Sequence, residues 1–279
     1  MTDSVTVLGL GPMGQAIAAA FHAAGHPTTA WTRTATRPTP DGVVRAATVT
    51  EAVTASKVVV VCVMDYDAAR AVLEPVAAEL RGRLVVHLTS GSPDAARAMA
   101  TWADEHGIGY HDGAIMTPTD TIGTTAAVIL HSGPSETAVL APLGGTQTYL
   151  GADPGRAAAF DVALLDLFWT SVSGLAHAFA VARAEHISPS ELAPLAKGIA
   201  DLMPIVIDEH STRLEEDRHD GDYANLDSAA AGMAHVIHTA ETRGIDASIL
   251  KAAHALTRRA IDAGHGTDGV SRLTVTLEQ

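Results

Sequence analysis

A glycine-rich turn near the start of the chain is the first group of residues whose spacing predicts chemistry. Gly9, Gly11 and Gly14 form the pattern G-x-G-x-x-G, with Pro12 and Met13 between the last two. The first glycine allows a tight turn, the second lets a pyrophosphate approach the backbone, and the third lets a helix pack closely on a strand. The helix that follows offers backbone N–H groups and a positive dipole end to phosphates. We therefore expect a dinucleotide to bind at this turn.

A group of basic and hydroxyl side chains about twenty residues further on predicts which dinucleotide is bound. Enzymes that use NAD usually carry Asp or Glu there, which binds the ribose 2′-hydroxyl. This chain instead has Thr32, Arg33, Thr34 and Arg37. Guanidinium and hydroxyl groups suit a 2′-phosphate through charge-assisted hydrogen bonds. The sequence predicts NADP(H), held by Arg33, Thr34 and Arg37; a solvated loop rich in Thr and Arg is the alternative.

The elements that must position these residues alternate along the first half of the chain. Short β-branched segments alternate with Ala-rich helical segments, which predicts an α/β Rossmann domain over residues 1–153. The predicted strands are Val5–Leu8, Thr28–Trp31, Val58–Val63, Leu84–Leu88, Gly109–His111, Ala126–Leu130 and Thr148–Leu150. The predicted helices are Met13–Ala24, Thr50–Ala55, Asp67–Leu80 and Ser92–His106, the last with Ser92 as its N-cap. Val58–Val63 is continuously apolar, as in a strand that helices cover on both faces.

The remainder, residues 154–279, is predicted to be an all-helical domain. One helix over about 154–185 would span roughly 45 Å, too long for a small domain to bury alone, which indicates burial against a second subunit. Shorter helices are expected at Pro189–Val206, Ser228–Arg243 and Ala247–Gly264, with a charged linking loop at Arg213–Asp227.

Composition excludes several classes of function. The 279 residues carry 32 acidic against 18 basic side chains, a formal charge of −14, which argues against nucleic acids and anionic membranes as partners. Cys62 is the only cysteine, so neither an intrachain disulfide nor a cysteine metal cluster can form. We assign no metal. The start of the sequence does not have the pattern of a signal peptide, and no uninterrupted apolar run of about 18 residues occurs. A cytoplasmic enzyme is therefore expected.

Four parts of the chain resemble the imine reductases, a branch of the β-hydroxyacid dehydrogenase superfamily. The resemblance covers nearly the whole sequence and is most specific in its last two parts. The four parts are Gly9–Gly14 with Trp31–Thr34; Leu88–Gly91; His111–Met116 with Ile122–Thr124; and Gly151–Gly155 leading into Phe160–Leu165. It implies a Rossmann domain, a long interdomain helix and a helical C-terminal domain. It also implies a homodimer that exchanges the long helix, with active sites between one subunit's Rossmann domain and the other's helices. Thr32 departs from the family, which commonly has Asn there.

The resemblance places Asp161 at the position of the family's catalytic residue. Hydroxyacid dehydrogenases of the superfamily have a lysine near the start of the long helix, whereas the lysines here are Lys57, Lys197 and Lys251. A carboxylate favours an iminium ion over a carboxylate substrate. We favour Asp161 as an anchor for a protonated iminium, because proton donation at neutral pH requires a pKa raised by about 3 units. A first-turn position favoured by the helix dipole is the structural alternative.

Further residues are expected around the reacting atoms. Ser90 and Trp169 resemble family positions near the substrate; Trp169 stands where Tyr is common, so it keeps a donor N–H and lacks the hydroxyl. Phe168 lies about 20° from Asp161 around a helix, on the wall of the same pocket or in ordinary packing.

The ends of two strands complete the expected site. Val63 and Met64 end their strand, where side chains flank the cofactor in this fold. Ile115 and Met116 are expected to border the substrate, with plain core packing as the alternative.

These features together predict reduction of imines by NADPH to amines, with reductive amination as an extension. Two alternatives stay open. One is an NADPH-dependent dehydrogenase of the β-hydroxyacid type, and the other is a non-catalytic redox sensor that binds NADP.

Overall fold

The first compact unit of the protein is built on one eight-stranded sheet. The computed structural model describes residues 3–222 and 224–279. The strands are β1 Val5–Leu8, β2 Thr28–Trp31, β3 Val44–Arg45, β4 Val58–Val61, β5 Leu84–His87, β6 Gly109–Ile115, β7 Val128–Ser132 and β8 Thr146–Tyr149. Their order is β3-β2-β1-β4-β5-β6-β7-β8. The direction of winding reverses between β1 and β4, which in doubly wound sheets marks the nucleotide crevice.

Strand direction brings the candidate residues to one edge of this sheet. β1 to β6 pair in parallel, so their carboxyl ends lie at the same edge, and only the β6–β7 pairing is antiparallel. Val59 and Val61 pack into one apolar cluster, whereas Val58 and Val60 pack into another. The prediction of a doubly wound sheet with continuously apolar strands is confirmed.

The helices of this unit begin at recognisable caps. They are α1 Pro12–Ala23, α2 Val49–Thr54, α3 Tyr66–Leu73, α4 Ala77–Leu80 and α5 Pro93–Glu105. The Ser92 hydroxyl accepts a hydrogen bond from the Ala95 N–H (3.2 Å), as predicted for an N-cap. The single predicted helix Asp67–Leu80 is wrong, because Pro75 converts Glu74–Val76 into a 3₁₀ turn between α3 and α4.

Strand bounds differ from the sequence prediction most at β3 and β6, and smaller shifts occur at β5, β7 and β8. β4 ends at Val61, so the prediction that Val63 and Met64 end this strand is wrong, and both residues lie in the loop that follows. β3 has only two residues, too few to produce a periodic pattern, and was not predicted. β6 continues past the predicted end at His111 to Ile115. Asp112 and Gly113 are poor strand formers, but pairing with β7 overrides that local preference.

The long helix is α6, Arg156–Ala184, close to its predicted bounds. The first compact unit ends within it at Asp166, and the second begins at Leu167. The predicted division after residue 153 stays a prediction. By length and composition α6 could cross a membrane, but core helices of soluble proteins meet the same criterion.

The second unit is helical. Its further helices are α7 Pro189–Ala200, α8 Met203–Glu215, α9 Leu226–Thr242, α10 Ser248–Ala260 and α11 Arg272–Leu277. The single predicted helix Pro189–Val206 is wrong. A turn at Asp201–Leu202, shortly before Pro204, separates α7 from α8. α8 continues to Glu215, so the predicted loop beginning at Arg213 begins after that residue.

Two buried histidines make the first unit sensitive to acid. His111 and His131 are almost fully buried, with ring centroids 6.0 Å apart. Burial lowers the pKa of both imidazoles, and the neighbouring His111 lowers that of His131 further. The unfolded chain therefore binds more protons than the folded chain as pH falls below about 6.5, and stability is lost over that range.

We expect His131→Phe to reduce this loss of stability. Phenylalanine keeps a ring beside Tyr149 (centroids 5.4 Å apart) and cannot be protonated. Urea unfolding between pH 8 and 5 should show a smaller fall in unfolding free energy than in the wild type. The exposed His22→Phe is the control. Equal pH dependence of wild type and His131→Phe would contradict the assignment.

Candidate active site

The glycine turn is shaped by close backbone contacts at two of its three glycines. Gly9 has φ of 103°, and a Cβ there would lie 2.0 Å from the Cys62 carbonyl oxygen. A Cβ at Gly14 would lie 2.0 Å from the Gly9 carbonyl oxygen. At Gly11 a Cβ would meet only Arg37 Nη1, at an ordinary 3.6 Å. Packing within the protein therefore explains Gly9 and Gly14, whereas the open space at Gly11 fits a ligand that approaches the backbone.

The start of α1 fits an anion. Gly11 is its N-cap and provides no side-chain cap, and Pro12 occupies the first turn. The N–H groups of this turn are left for a bound phosphate. Met13 is half-buried and packs its side chain against the apolar cluster beneath.

Basic side chains surround the carboxyl end of β2. Arg33, Thr34 and Arg37 are exposed, and Arg37 Nη1 donates to the Leu10 carbonyl (3.3 Å) beside the glycine turn. Arg33 and Thr32 line an open cavity of about 430 Å³. This arrangement suits the adenosine end of a phosphorylated dinucleotide.

Arg45, which sequence reasoning missed, holds this basic segment in place. It donates to the carbonyl oxygens of Arg37 (2.6 Å) and Ala35 (3.1 Å) and to the Thr39 hydroxyl (3.2 Å). It also lines the cavity beside Arg33. Because β3 was too short to recognise, nothing in the sequence placed Arg45 beside β2.

The first turns of α6 are fixed to the Rossmann unit. Arg97 pairs with the Asp153 carboxylate (2.9 Å) just before the helix. The Ser132 hydroxyl donates to the Pro154 carbonyl (3.2 Å) and accepts from the Ala157 N–H (3.0 Å). These bonds set the position of Asp161 one turn later.

Asp161 is a buried carboxyl with only 2% of its surface exposed. It lies in the second turn of α6, so the first-turn dipole alternative is wrong. Burial raises its pKa, the negative charge of Asp112 raises it further, and a hydrogen bond with Ser90 lowers it. Oδ2 has no hydrogen-bond partner among the described residues. The site therefore presents one carboxyl oxygen able to bind a proton or an N–H group.

A buried polar cluster beneath Asp161 was not predicted. Tyr66 and Tyr110 donate from their hydroxyls to Asp112 Oδ1, at 2.5 and 3.2 Å, and His87 Nδ1 lies 3.8 Å from the same oxygen. The available sequence signal was the presence of Asp and His inside otherwise apolar strands, since buried polar groups require partners.

The residues expected at the ends of two strands differ in their surroundings. The Val63 N–H donates to the Thr89 hydroxyl (3.1 Å), next to Ser90, whereas the Met64 side chain is 86% exposed. Ile115 packs partly into the core and the Met116 N–H donates to the Val128 carbonyl, at the carboxyl end of β6.

Phe168 and Trp169 lie in the second unit and contact each other, with ring centroids 5.1 Å apart. Both side chains are more than half exposed.

Removing positive charge near β2 should weaken NADP⁺ specifically. A hydrogen bond to a charged group contributes about 1.5–3 kcal/mol, so Arg33→Ala and Arg37→Ala should each weaken NADP⁺ binding roughly 10- to 100-fold. NAD⁺ lacks the 2′-phosphate and should bind unchanged. Calorimetric titration of both nucleotides checks this, with Arg81→Ala, exposed before β5, as control. Equal weakening of NAD⁺ and NADP⁺ would reject a 2′-phosphate contact.

Comparison with known proteins agrees with this geometry. Residues 4–138 match the NAD binding domain of 6-phosphogluconate dehydrogenase, and residues 153–279 match the C-terminal domain of NADPH-dependent reductive aminase-like proteins. The NADPH-dependent reductive aminase of Aspergillus oryzae is 30% identical, over 98% of this chain and 96% of that protein.

Two solved structures are similar over their full length. The imine reductase from Myxococcus stipitatus in complex with NADP⁺ is 37% identical with a TM-score of 0.93, covering 98% of this chain and 99% of that one. The reductive aminase from Aspergillus terreus in complex with NADPH and ethyl levulinate is 32% identical with a TM-score of 0.93, covering 99% and 100%. The glycine turn, the basic side chains in place of an acidic residue and the buried Asp161 thus occur in a chain that belongs to the family of NADP-dependent imine reductases and reductive aminases.

Proposed function

We propose that this protein reduces carbon–nitrogen double bonds, converting an imine or iminium ion to an amine with NADPH as cofactor. The glycine turn and the arginines near β2 would hold NADPH, which would supply the hydride. The observation that carries the proposal is the buried Asp161 carboxyl, with one oxygen free, beside Ser90. A carboxyl there attracts a cation and repels a carboxylate substrate, which disfavours a hydroxyacid dehydrogenase.

The two roles considered for Asp161 lead to the same ion pair. A protonated Asp161 that meets a neutral imine, and a carboxylate that meets an iminium ion, both give an iminium held by a carboxylate. The raised pKa of Asp161 makes the protonated form more abundant than in an exposed aspartate. Because the fold already raises the pKa of Asp161, proton donation at neutral pH requires a smaller further rise in that pKa than the sequence alone suggested. Asp161 both supplies the proton and anchors the cation, and Ser90 orients the carboxyl.

The substrate class extends to carbonyl compounds with amines. One neighbouring structure is the Aspergillus terreus reductive aminase in complex with NADPH4, cyclohexanone and allyl amine. Condensation of a ketone with an amine releases water and gives the same imine that is then reduced. Supply of both ketone and amine should therefore also lead to NADPH consumption.

A homodimer and a cytoplasmic location complete the proposal. Large apolar side chains of α7 and α8 are exposed, including Leu195 (72%), Ile199 (68%) and Ile205 (65%). Exposed apolar side chains of this size favour burial against a second copy of the chain. Light scattering after gel filtration should give a dimer mass. The double variant Leu195→Glu with Ile199→Glu should shift the mass toward the monomer; an unchanged dimer would exclude this surface as the interface.

Replacement of Asp161 should abolish imine reduction without loss of folding. With 2-methyl-1-pyrroline and NADPH, Asp161→Ala and Asp161→Asn should lower kcat/KM about 10²- to 10⁴-fold, the usual contribution of an acid–base group. Because the folded state raises the pKa of this carboxyl, its ionised form destabilises folding above that pKa. Asp161→Asn should therefore unfold at an equal or higher temperature at pH 7.

The control is Asp166→Asn, an exposed aspartate of the same helix, which should keep its activity. Oxidation of a 3-hydroxy acid with NADP⁺, in the absence of imine turnover, would instead identify a hydroxyacid dehydrogenase. Binding of NADPH with no turnover of any imine would favour a redox sensor.

A further inference from the structure

The cluster beneath Asp161 is built around the Asp112 carboxylate. Asp112 is 1% exposed, and its Oδ1 accepts hydrogen bonds from Tyr66 (2.5 Å) and Tyr110 (3.2 Å). The buried His87 ring lies 4.2 Å from the Tyr66 ring between centroids, and its Nδ1 lies 3.8 Å from Asp112 Oδ1. The groups come from α3, β5 and β6, so three elements converge on one carboxylate.

Tyr66 connects this cluster to the loop that carries Ser90. The Tyr66 ring lies directly against Gly91, where an added Cβ would come within 2.4 Å of it. Ser90 is the preceding residue and hydrogen-bonds Asp161. The ring therefore supports the turn from which Ser90 reaches the carboxyl, and its hydroxyl is fixed by Asp112.

Charge provides a second connection. Asp112 and Asp161 are both buried, where the interaction between two carboxylates is stronger than in water. Tyr66 is also within the electrostatic range of both carboxylates. The groups that act on the pKa of Asp161 are therefore Ser90 and Asp112, and those that contact Asp112 are Tyr66, Tyr110 and His87.

We infer that Asp112 is a positioning residue for the reaction, acting on Asp161 through its negative charge and on Ser90 through the Tyr66 ring. Only the effect of Asp112 on the reaction rests on the proposed function. The coupling between the two carboxyls is a property of the fold alone. The negative charge of Asp112 raises the pKa of Asp161 and so opposes part of the lowering by Ser90, which favours a protonated Asp161 for weakly basic imines.

Titration of the carboxyl carbons tests the coupling without any turnover. In protein labelled with ¹³C-carboxyl aspartate, the Asp161 resonance is assigned from its loss in Asp161→Asn. Asp112→Asn should move the Asp161 titration midpoint to lower pH, because a like charge is removed. Ser90→Ala should move it in the opposite direction, because a stabilising hydrogen bond to the carboxylate is lost.

A second variant separates the charge of Asp112 from the loss of its carboxylate contacts. Asp112→Glu retains the charge and should restore most of the raised Asp161 midpoint. Thr6→Val is the matched control, since Thr6 is a buried hydroxyl in the same sheet and donates to the Ala52 carbonyl (2.7 Å). It should lower the unfolding temperature and leave the Asp161 midpoint in place.

The pH profile with a permanently charged N-methyl cyclic iminium then reports the catalytic consequence. This substrate needs the Asp161 carboxylate, so its kcat/KM should fall at acid pH as Asp161 becomes protonated. Asp112→Asn should move this fall to lower pH by the same amount as the Asp161 titration midpoint. An Asp161 midpoint that is the same in wild type, Asp112→Asn and Asp112→Glu would overturn the inference, whatever the activity. Shifted midpoints in a protein that turns over no imine would uphold the coupling and reject the proposed function instead.

Discussion

The burial of a carboxyl group at Asp161 is the constraint on which this site depends. Removal of a carboxylate from water disfavours its charged form, and each unit of pKa shift corresponds to about 1.4 kcal/mol. The surrounding structure must hold the side chain in this unfavourable setting. Arg97, Asp153 and Ser132 fix the start of α6, and the apolar clusters on both sheet faces supply the stability that offsets the cost. The same setting raises the pKa of Asp161, so its protonated form is more abundant than that of a solvated aspartate.

Parallel strand direction determines which residues can meet. β1, β4, β5 and β6 all end at one edge of the sheet, so the glycine turn, the Ser90 loop and the Asp112 segment reach the same region. The reversal of strand order between β1 and β4 opens the crevice for a dinucleotide there. Cofactor binding and acid–base chemistry are thus supported by one sheet.

The parts of the fold and site with strong local signals could be predicted from sequence. The glycine turn has a fixed spacing, the valine run Val58–Val63 has an unbroken pattern, and Ser92 with Pro93 marks a helix start. Arg45 and the cluster of Tyr66, His87, Tyr110 and Asp112 could not be found in this way. Their roles arise from pairing between segments far apart in the chain, such as Tyr66 with Asp112, and no local pattern records such contacts. The full length of β6 could not be predicted for the same reason, because pairing with β7 determines where β6 ends.

The segment from Thr32 to Arg45 has a consequence for how such a protein could diversify. All the basic groups that surround the end of β2 lie in one continuous stretch, and Arg45 fastens that stretch from its far end. Asp161, Ser90 and Asp112 lie outside it. Exchange of this one segment would change the preferred reductant from NADPH to NADH. The chemistry of the C=N bond would be inherited unchanged, so supply of electrons and choice of reaction can evolve independently.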